Sequence, residues 1–252
     1  MTQLNESPII TVERRKAVTI IIATVILSLA IGGGLMQVGS GFASRSSDGI
    51  TVTGSAKVSA TADNVVWVLN VNLSSPAVAT AVKKVDSDVA TLSDYLTKAG
   101  IPADALTLGA VSTYGNEEFV NGNPTGRILS YRANREITVR SKDVQLISKL
   151  SQGIGSLLAT GINVNNYGPQ YYISNLPELR PQLMAEAMKD AKVRAEALTK
   201  AVGGNIGALV NVKAGPIQIT TPDSTMTADY GAYDTSTIEK TVTATVSVTF
   251  KS

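Results

Sequence analysis

Two acidic clusters and one glycine-rich run are the stretches whose residue types and spacing could do chemistry. Glu117 and Glu118 stand side by side before Phe119, where adjacent carboxylates could bind a cation weakly or simply be solvated. Asp223, Asp229 and Asp234 recur with Tyr230 and Tyr233 in a long late segment. They lie five or six residues apart, without the every-second-residue spacing of a calcium loop. That suits a mobile loop or a partner contact better than a metal site. The run "GIGSLLATG" (153–161) begins like a dinucleotide fingerprint, but Leu158 stands where the third glycine belongs. It falls inside a helical pattern, which implies a helix packed closely through small residues.

The missing residue types constrain the chemistry further. The 252 residues contain neither His nor Cys. The usual general base near neutral pH and the commonest metal ligand are therefore absent, as are disulfides and thiolate sites. A Ser–His pair is impossible, no Gly-Lys-Ser/Thr phosphate loop occurs, and no Gly-x-Ser-x-Gly elbow follows a strand. A hydrolase would need two carboxylates converging in a concave pocket. The expectation is no catalytic residue, no metal and no cofactor. The net charge is only +2, without the basic excess that nucleic-acid binding requires.

The elements that would position any site begin with a membrane anchor. Residues 17–38, "AVTIIIATVILSLAIGGGLMQV", carry no charge. As a helix they reach ~33 Å against a hydrocarbon core of ~30 Å. Ala17, Ile20, Ile22, Ile26, Leu29, Leu35 and Val38 exemplify the apolar lining. Arg14, Arg15 and Lys16 just before the run should hold residues 1–16 in the cytoplasm. The expectation is a single-pass inner-membrane protein with its C-terminal domain in the periplasm or outside the cell. The alternative is secretion to the periplasm after cleavage near Ala43, where Gly41-Phe42-Ala43 offers small residues at suitable offsets.

A linker over 39–49 leads to an exported domain over 50–252. "ITVTGSAKVSATAD" (50–63) and "VVWVLNVNL" (65–73) alternate apolar and polar residues, predicting two strands joined as a hairpin. Val78, Val82, Val85, Val89, Leu92 and Leu96 form one helical stripe. Strands follow at about 105–114 and 129–140, separated by an exposed loop "GNEEFVNGNPTGR" (115–127). Arg135 falls among inward positions, where an edge or a carboxylate partner is expected, and Trp67 is expected in the core. A helix over 142–159 and an irregular strand over 162–174, broken at Gly168-Pro169, come next. The longest helix covers 178–203, with Leu179, Leu183, Ala187, Ala191, Leu198 and Val202 buried and ion pairs Asp190–Arg194 and Glu196–Lys200 outside. A strand over 206–213 and a loop over 215–237 precede "TVTATVSVTF" (241–250).

The order ββαββαβαββ predicts an α+β fold, with a mixed, largely antiparallel sheet and helices packed on one face. One N-terminal transmembrane helix precedes it.

"ITVTGSAKVSATAD", "YRANREITVRSKDVQLISKL", "LPELRPQLMAEAMKDAKVRAEALTKAVGGNIGALVNV" and "IEKTVTATVSVTF", in this order, resemble the SIMPL-domain family. These are bacterial envelope proteins catalogued as a domain of unknown function, periplasmic immunogenic proteins among them. The resemblance implies an α+β domain, self-association into ring-like oligomers with a central channel, and a role in oxidative or envelope stress. It supplies no catalytic residues. The retained anchor departs from many members and would tie a ring to the membrane.

Function is accordingly expected to be non-catalytic assembly of a homo-oligomer through strand edges and the Thr-rich sheet face. Thr241, Thr243, Thr245, Tyr230 and Tyr233 are the candidate contacts. The alternative is a binding module for a small molecule, peptide or envelope polymer, using loops 115–127 and 215–237.

Overall fold

A computed structural model of the chain describes residues 49–251; the expected anchor, its flanking charges and the Ala43 cleavage site lie outside the described residues. No helix among the described residues is long and apolar enough to cross a membrane.

The elements are β1 (Gly49–Thr61), β2 (Asn64–Ser75), α1 (Val78–Lys98), β3 (Leu106–Leu108), β4 (Ser112–Val120), β5 (Asn123–Ser141) and α2 (Val144–Gly153). There follow β6 (Val164–Tyr172), α3 (Leu176–Ala201), β7 (Leu209–Ala214), β8 (Gln218–Thr220) and β9 (Glu239–Lys251). The α+β class holds, but the single mixed sheet does not. The strands divide into two sheets, β1-β9-β7 with β8 also on β9, and β3-β5-β2-β6 with β4 also on β5. Among the described residues every ladder is antiparallel, and the parallel element is one isolated bridge, Ile219–Tyr233.

The expected β1–β2 hairpin is also corrected. β1 pairs along its whole length with β9, from Gly49–Lys251 to Thr61–Glu239, whereas β2 lies between β5 and β6. Alternation shows that a segment is a strand but not which strand it pairs with. The connection Ala62-Asp63 lacks the Asn-Gly or Gly that folds two strands back on each other. Instead Ala62 N–H donates to Ile238, and the Asp63 carboxylate accepts from Ser174 N–H at 2.8 Å and from Ser174 Oγ. The chain thus turns a corner from one sheet into the other.

Those Ser174 hydrogen bonds, the hydroxyl's above all, hold the Asp63 carboxyl below its ordinary value. A depressed folded pKa contributes stability above the unfolded value of about 3.8 that is lost as pH falls below it. Because Asp63 is exposed and water screens it, Asp63→Asn should lower the melting temperature by no more than about 2 °C at pH 7. The gap from wild type should shrink in melts taken below pH 3.8. A gap that widens in acid would contradict the assignment.

Each sheet carries its own core. Val65, Trp67, Leu69 and Val71 of β2 and Ile137 and Val139 of β5 pack on Ala81, Val85, Leu92 and Leu96 of α1. Trp67 is fully buried, as expected, and its indole N–H donates to Asn166 Oδ1 at 2.8 Å. Arg135 finds its carboxylate: Nη1 lies 2.7 Å from Asp86, and Nε donates to Gly109 O. The β6 irregularity falls at its expected place, a register shift opposite Trp67–Leu69 with Gly168 at positive φ.

On the second sheet, α3 lays Leu183, Ala187, Ala191, Ala195 and Thr199 against β1 and β9. The expected Leu198 and Val202 are instead 54% and 85% exposed. The buried row repeats every four residues and is mostly alanine because the helix backbone approaches β1 at Gly54 too closely for larger side chains. Asp190–Arg194 forms at 2.8 Å, while Glu196 meets Lys192 rather than Lys200.

Candidate functional site

The segment expected as the loop 115–127 is mostly strand. Val120 and Asn123 face each other across Asn121-Gly122, both at positive φ, as a two-residue hairpin turn requires. β2 covers β5 only from Tyr131 to Ser141, so residues 123–130 pair with β4 alone. The result is a two-stranded arm of about 27 Å projecting beyond the sheet. It exposes apolar side chains along its length: Phe119 is 63% exposed and Leu129 51%, with Val120 and Ile128 also accessible.

The paired carboxylates serve this arm. Glu117 accepts from Gly126 N–H at 2.7 Å, and Glu118 accepts from Thr125 Oγ1 at 3.1 Å and lies 3.3 Å from Arg127. These bonds span the hairpin and fix its register. Among the described residues no group of three acidic, His or Cys side chains is placed to hold a metal.

The segment 215–237, expected as an irregular loop, contains β8 and a strap laid across both sheets. Tyr171 N–H donates to Thr235 O, Ile219 N–H to Ala232 O, and Ala232 N–H to Gln218 Oε1. Tyr233 is a latch: its hydroxyl accepts from Ile173 N–H at 3.0 Å, and its ring lies 5.9 Å from that of Tyr172. Tyr230, by contrast, is wholly exposed. Of the three aspartates, Asp234 is built into the strap, accepting from Ser236 and Thr237, with Lys240 Nζ 3.5 Å away. Burial pushes its carboxyl up, but the Ser236 bonds and the Lys240 charge leave it below its usual value. Asp223 takes a positive φ.

Thr241, Thr243 and Thr245 point to the β9 face turned away from α3 and are half-buried. Part of that face is occupied by the chain itself. Lys57, Gln218, Thr241, Thr243 and Met226 line a cavity of about 260 Å³ beneath the strap, and a β-carbon on Gly215 would stand 2.3 Å from Thr245 Oγ1. The Thr face is thus not the open strip that alternation alone suggests.

The β1 edge is guarded. Ser55 N–H, which faces away from β9, donates to Asp190 Oδ2 at 2.8 Å. That bond first, then Arg194, holds the Asp190 carboxyl below its ordinary value. A charged helix residue on an edge donor discourages pairing by another strand.

In "GIGSLLATG", a β-carbon added to Gly155 would meet no atom within 4 Å, and one added to Gly153 would meet only the Tyr95 hydroxyl. Close packing through these glycines is not found; they mark a break at Ile154 between α2 and a single helical turn, Gly155–Leu158.

Sequence reasoning missed the arm and the buried Lys240. The arm did have a signal, the Asn121-Gly122 dipeptide after Phe119-Val120, although Asn123-Pro124 on its other side masks it. No curated protein matches this chain. A family model described as SIMPL, protein of unknown function (DUF541), matches residues 50–250, as the four ordered motifs imply. The two antiparallel sheets, their three helices and the strap between them are thus the fold of a chain that belongs to the SIMPL family.

Proposed function

We propose that this chain is a membrane-tethered, extracytoplasmic assembly protein. It forms a ring-like homo-oligomer and serves a structural role in the envelope under stress, without turnover of its own. The observation that carries the reading is the β4–β5 arm. A two-stranded ribbon is marginal in water on its own. This one also holds Phe119, Val120, Ile128 and Leu129 away from the core that would cover them. A second copy is the occupant proposed for the arm. An arm on one side of the subunit meeting a different surface on the next is a head-to-tail contact, which closes into a ring if the rotation allows. Residues 17–38 would hold such a ring at the membrane, and cleavage near Ala43 would release it to the periplasm.

Two measurements on one detergent extract of the full chain test this. Light scattering should give a protein mass several times 26.3 kDa, and N-terminal sequencing should return the residues before Ala17. Phe119→Ser with Leu129→Ser should reduce the particle to a monomer while the melting temperature falls by no more than about 2 °C, since both side chains are already exposed. A monodisperse monomer from the unmodified chain would end the proposal.

A further inference from the structure

The face of the five-stranded sheet turned away from α1 carries an array that neither the fold nor the assembly reading uses. On β2, Asn70 and Asn72 point outward; Asn72 stands opposite Asn134, and Asn70 stands between Glu136 of β5 and Asn165 of β6. These side chains line a shallow cavity of about 370 Å³. Tyr114 of β4 and Tyr167 of β6 stand at its two sides, Tyr167 almost fully exposed. They stand at opposite corners: three strand steps, about 14 Å across the sheet, and a register offset of six residues, about 20 Å along it, separate them.

The polar capacity of this array is largely unspent among the described residues. Asn70 and Asn165 make no side-chain hydrogen bond, and Asn134 uses only its carbonyl, accepting from Ser112 Oγ at 2.9 Å. Glu136 accepts from Thr138 on one oxygen. Asn72 forms the floor and is 8% exposed; its Oδ1 accepts from Asn163 Nδ2 at 3.1 Å, and its own Nδ2 has no partner. Whichever way that amide is turned, one polar end is unpaired, which costs about 1–3 kcal/mol in a folded protein. Cavities that combine a few convergent polar groups with an unsatisfied buried one are candidate ligand sites.

We infer that this face binds a neutral oligosaccharide. Each Asn amide offers a donor and an acceptor side by side, which is what neighbouring sugar hydroxyls need, since every hydroxyl both gives and accepts. Two exposed tyrosine rings supply flat apolar surfaces with a polar tip, suited to the C–H faces of sugar rings at the ends of the array. Arg132 lies over Tyr114, 5.9 Å from the ring centroid, with Nη1 on its hydroxyl at 2.9 Å, and Glu136 offsets its charge. The cavity lining is therefore balanced in charge, the further cation on this face, Arg140, standing outside it on β5. Val68 is the one aliphatic side chain in the lining, so the apolar pockets that select peptide side chains are absent there.

The test is calorimetric titration of the full chain, in a detergent without a sugar headgroup, with maltohexaose, cellohexaose, chitohexaose and, separately, tetra-alanine. One of the sugars is expected to bind saturably with a Kd between about 10 µM and 1 mM. Tyr167→Ala and Asn134→Ala should each weaken it tenfold or more without altering the particle mass. Asn70→Leu should abolish it with little change in melting temperature, because Asn70 lines the cavity and makes no side-chain hydrogen bond within the fold. The inference is overturned if no sugar binds up to 10 mM, if tetra-alanine binds instead, or if the variants leave affinity intact. It is also overturned if these variants change the oligomer's mass rather than its sugar affinity, which would make the face a subunit contact.

Discussion

Gly54→Ala will destabilise the domain by about 3 kcal/mol or more, although it adds a single methyl group. The new β-carbon would stand 2.1 Å from Ala187 O, 2.4 Å from Ala191 N and 2.7 Å from Ala191 Cβ. Two of these three are backbone atoms of α3 and cannot rotate away. The helix must instead move outward by about 1 Å, because interiors packed at crystal-like density have no slack to absorb a clash. That shift lifts Ala187, Ala191 and Ala195 off Val52, Val246, Val248 and Phe250, the core of the four-stranded sheet. The expected fall in melting temperature is about 6–12 °C by circular dichroism. Gly155→Ala, at a helical position with nothing within 4 Å, is the control and should be neutral or slightly stabilising. A Gly54→Ala protein melting within 2 °C of wild type would show that the approach of α3 to β1 is looser than described.

Asp234→Ala will cost about 3–5 kcal/mol, whereas Lys240→Met will cost less than about 1 kcal/mol or stabilise. The Lys240 side chain is fully buried, with Nζ 2.6 Å from Asp234 O and 3.5 Å from Asp234 Oδ1. Removing the carboxylate leaves a buried cation with only a carbonyl, while replacing the lysine by an apolar chain of similar length removes the charge to be solvated. Burial pushes the Lys240 ammonium below its ordinary value of 10.5, and the Asp234 charge pulls it part of the way back. Between the lowered folded value and 10.5 the unfolded chain binds more protons, so this group makes stability rise with pH in that window. Loss of Asp234 extends the window downward. Urea midpoints should therefore show Asp234→Ala recovering part of its deficit at pH 9.5. The double variant should be more stable than Asp234→Ala alone at pH 7. If Lys240→Met proves the more damaging of the two, the strap is held by something other than this pair.

Local order was legible in the sequence wherever one segment decided it. The alternation of "TVTATVSVTF" places Val242, Ala244, Val246, Val248 and Phe250 in the core and the Thr residues on the other face. The α1 stripe from Val85 to Leu96, buried Trp67, the Arg135–carboxylate pair and the β6 break follow from single-segment patterns as well, while Val78 at the head of the expected stripe is 41% exposed and Ala81 is buried instead. What escaped depends on residues far apart in sequence. Pairing β1 with β9 joins positions about two hundred residues apart, and nothing local in "ATAD" announces it. On α3, Leu198 and Val202 are large and apolar yet exposed, because the close approach of the helix at Gly54 puts an alanine row against β1. The density of Gly, Asn and Pro in 115–127 suggested a loop, when Asn121-Gly122 is a hairpin turn and the flanks are strand. Of the candidate contacts, Tyr230 and Tyr233 are both exposed, Tyr233 while also bonding Ile173, and the Thr row shares its face with the strap.

The chain contains no cysteine, so Phe119→Cys creates a single reactive position at the arm. Labelling it with a thiol-reactive benzophenone and irradiating intact membranes measures directly what the arm touches. The assembly account predicts a product at twice the chain mass, with both halves derived from this protein, and its loss when Leu129→Ser is added. Label found only on unconjugated chains, or joined solely to other proteins, would contradict it.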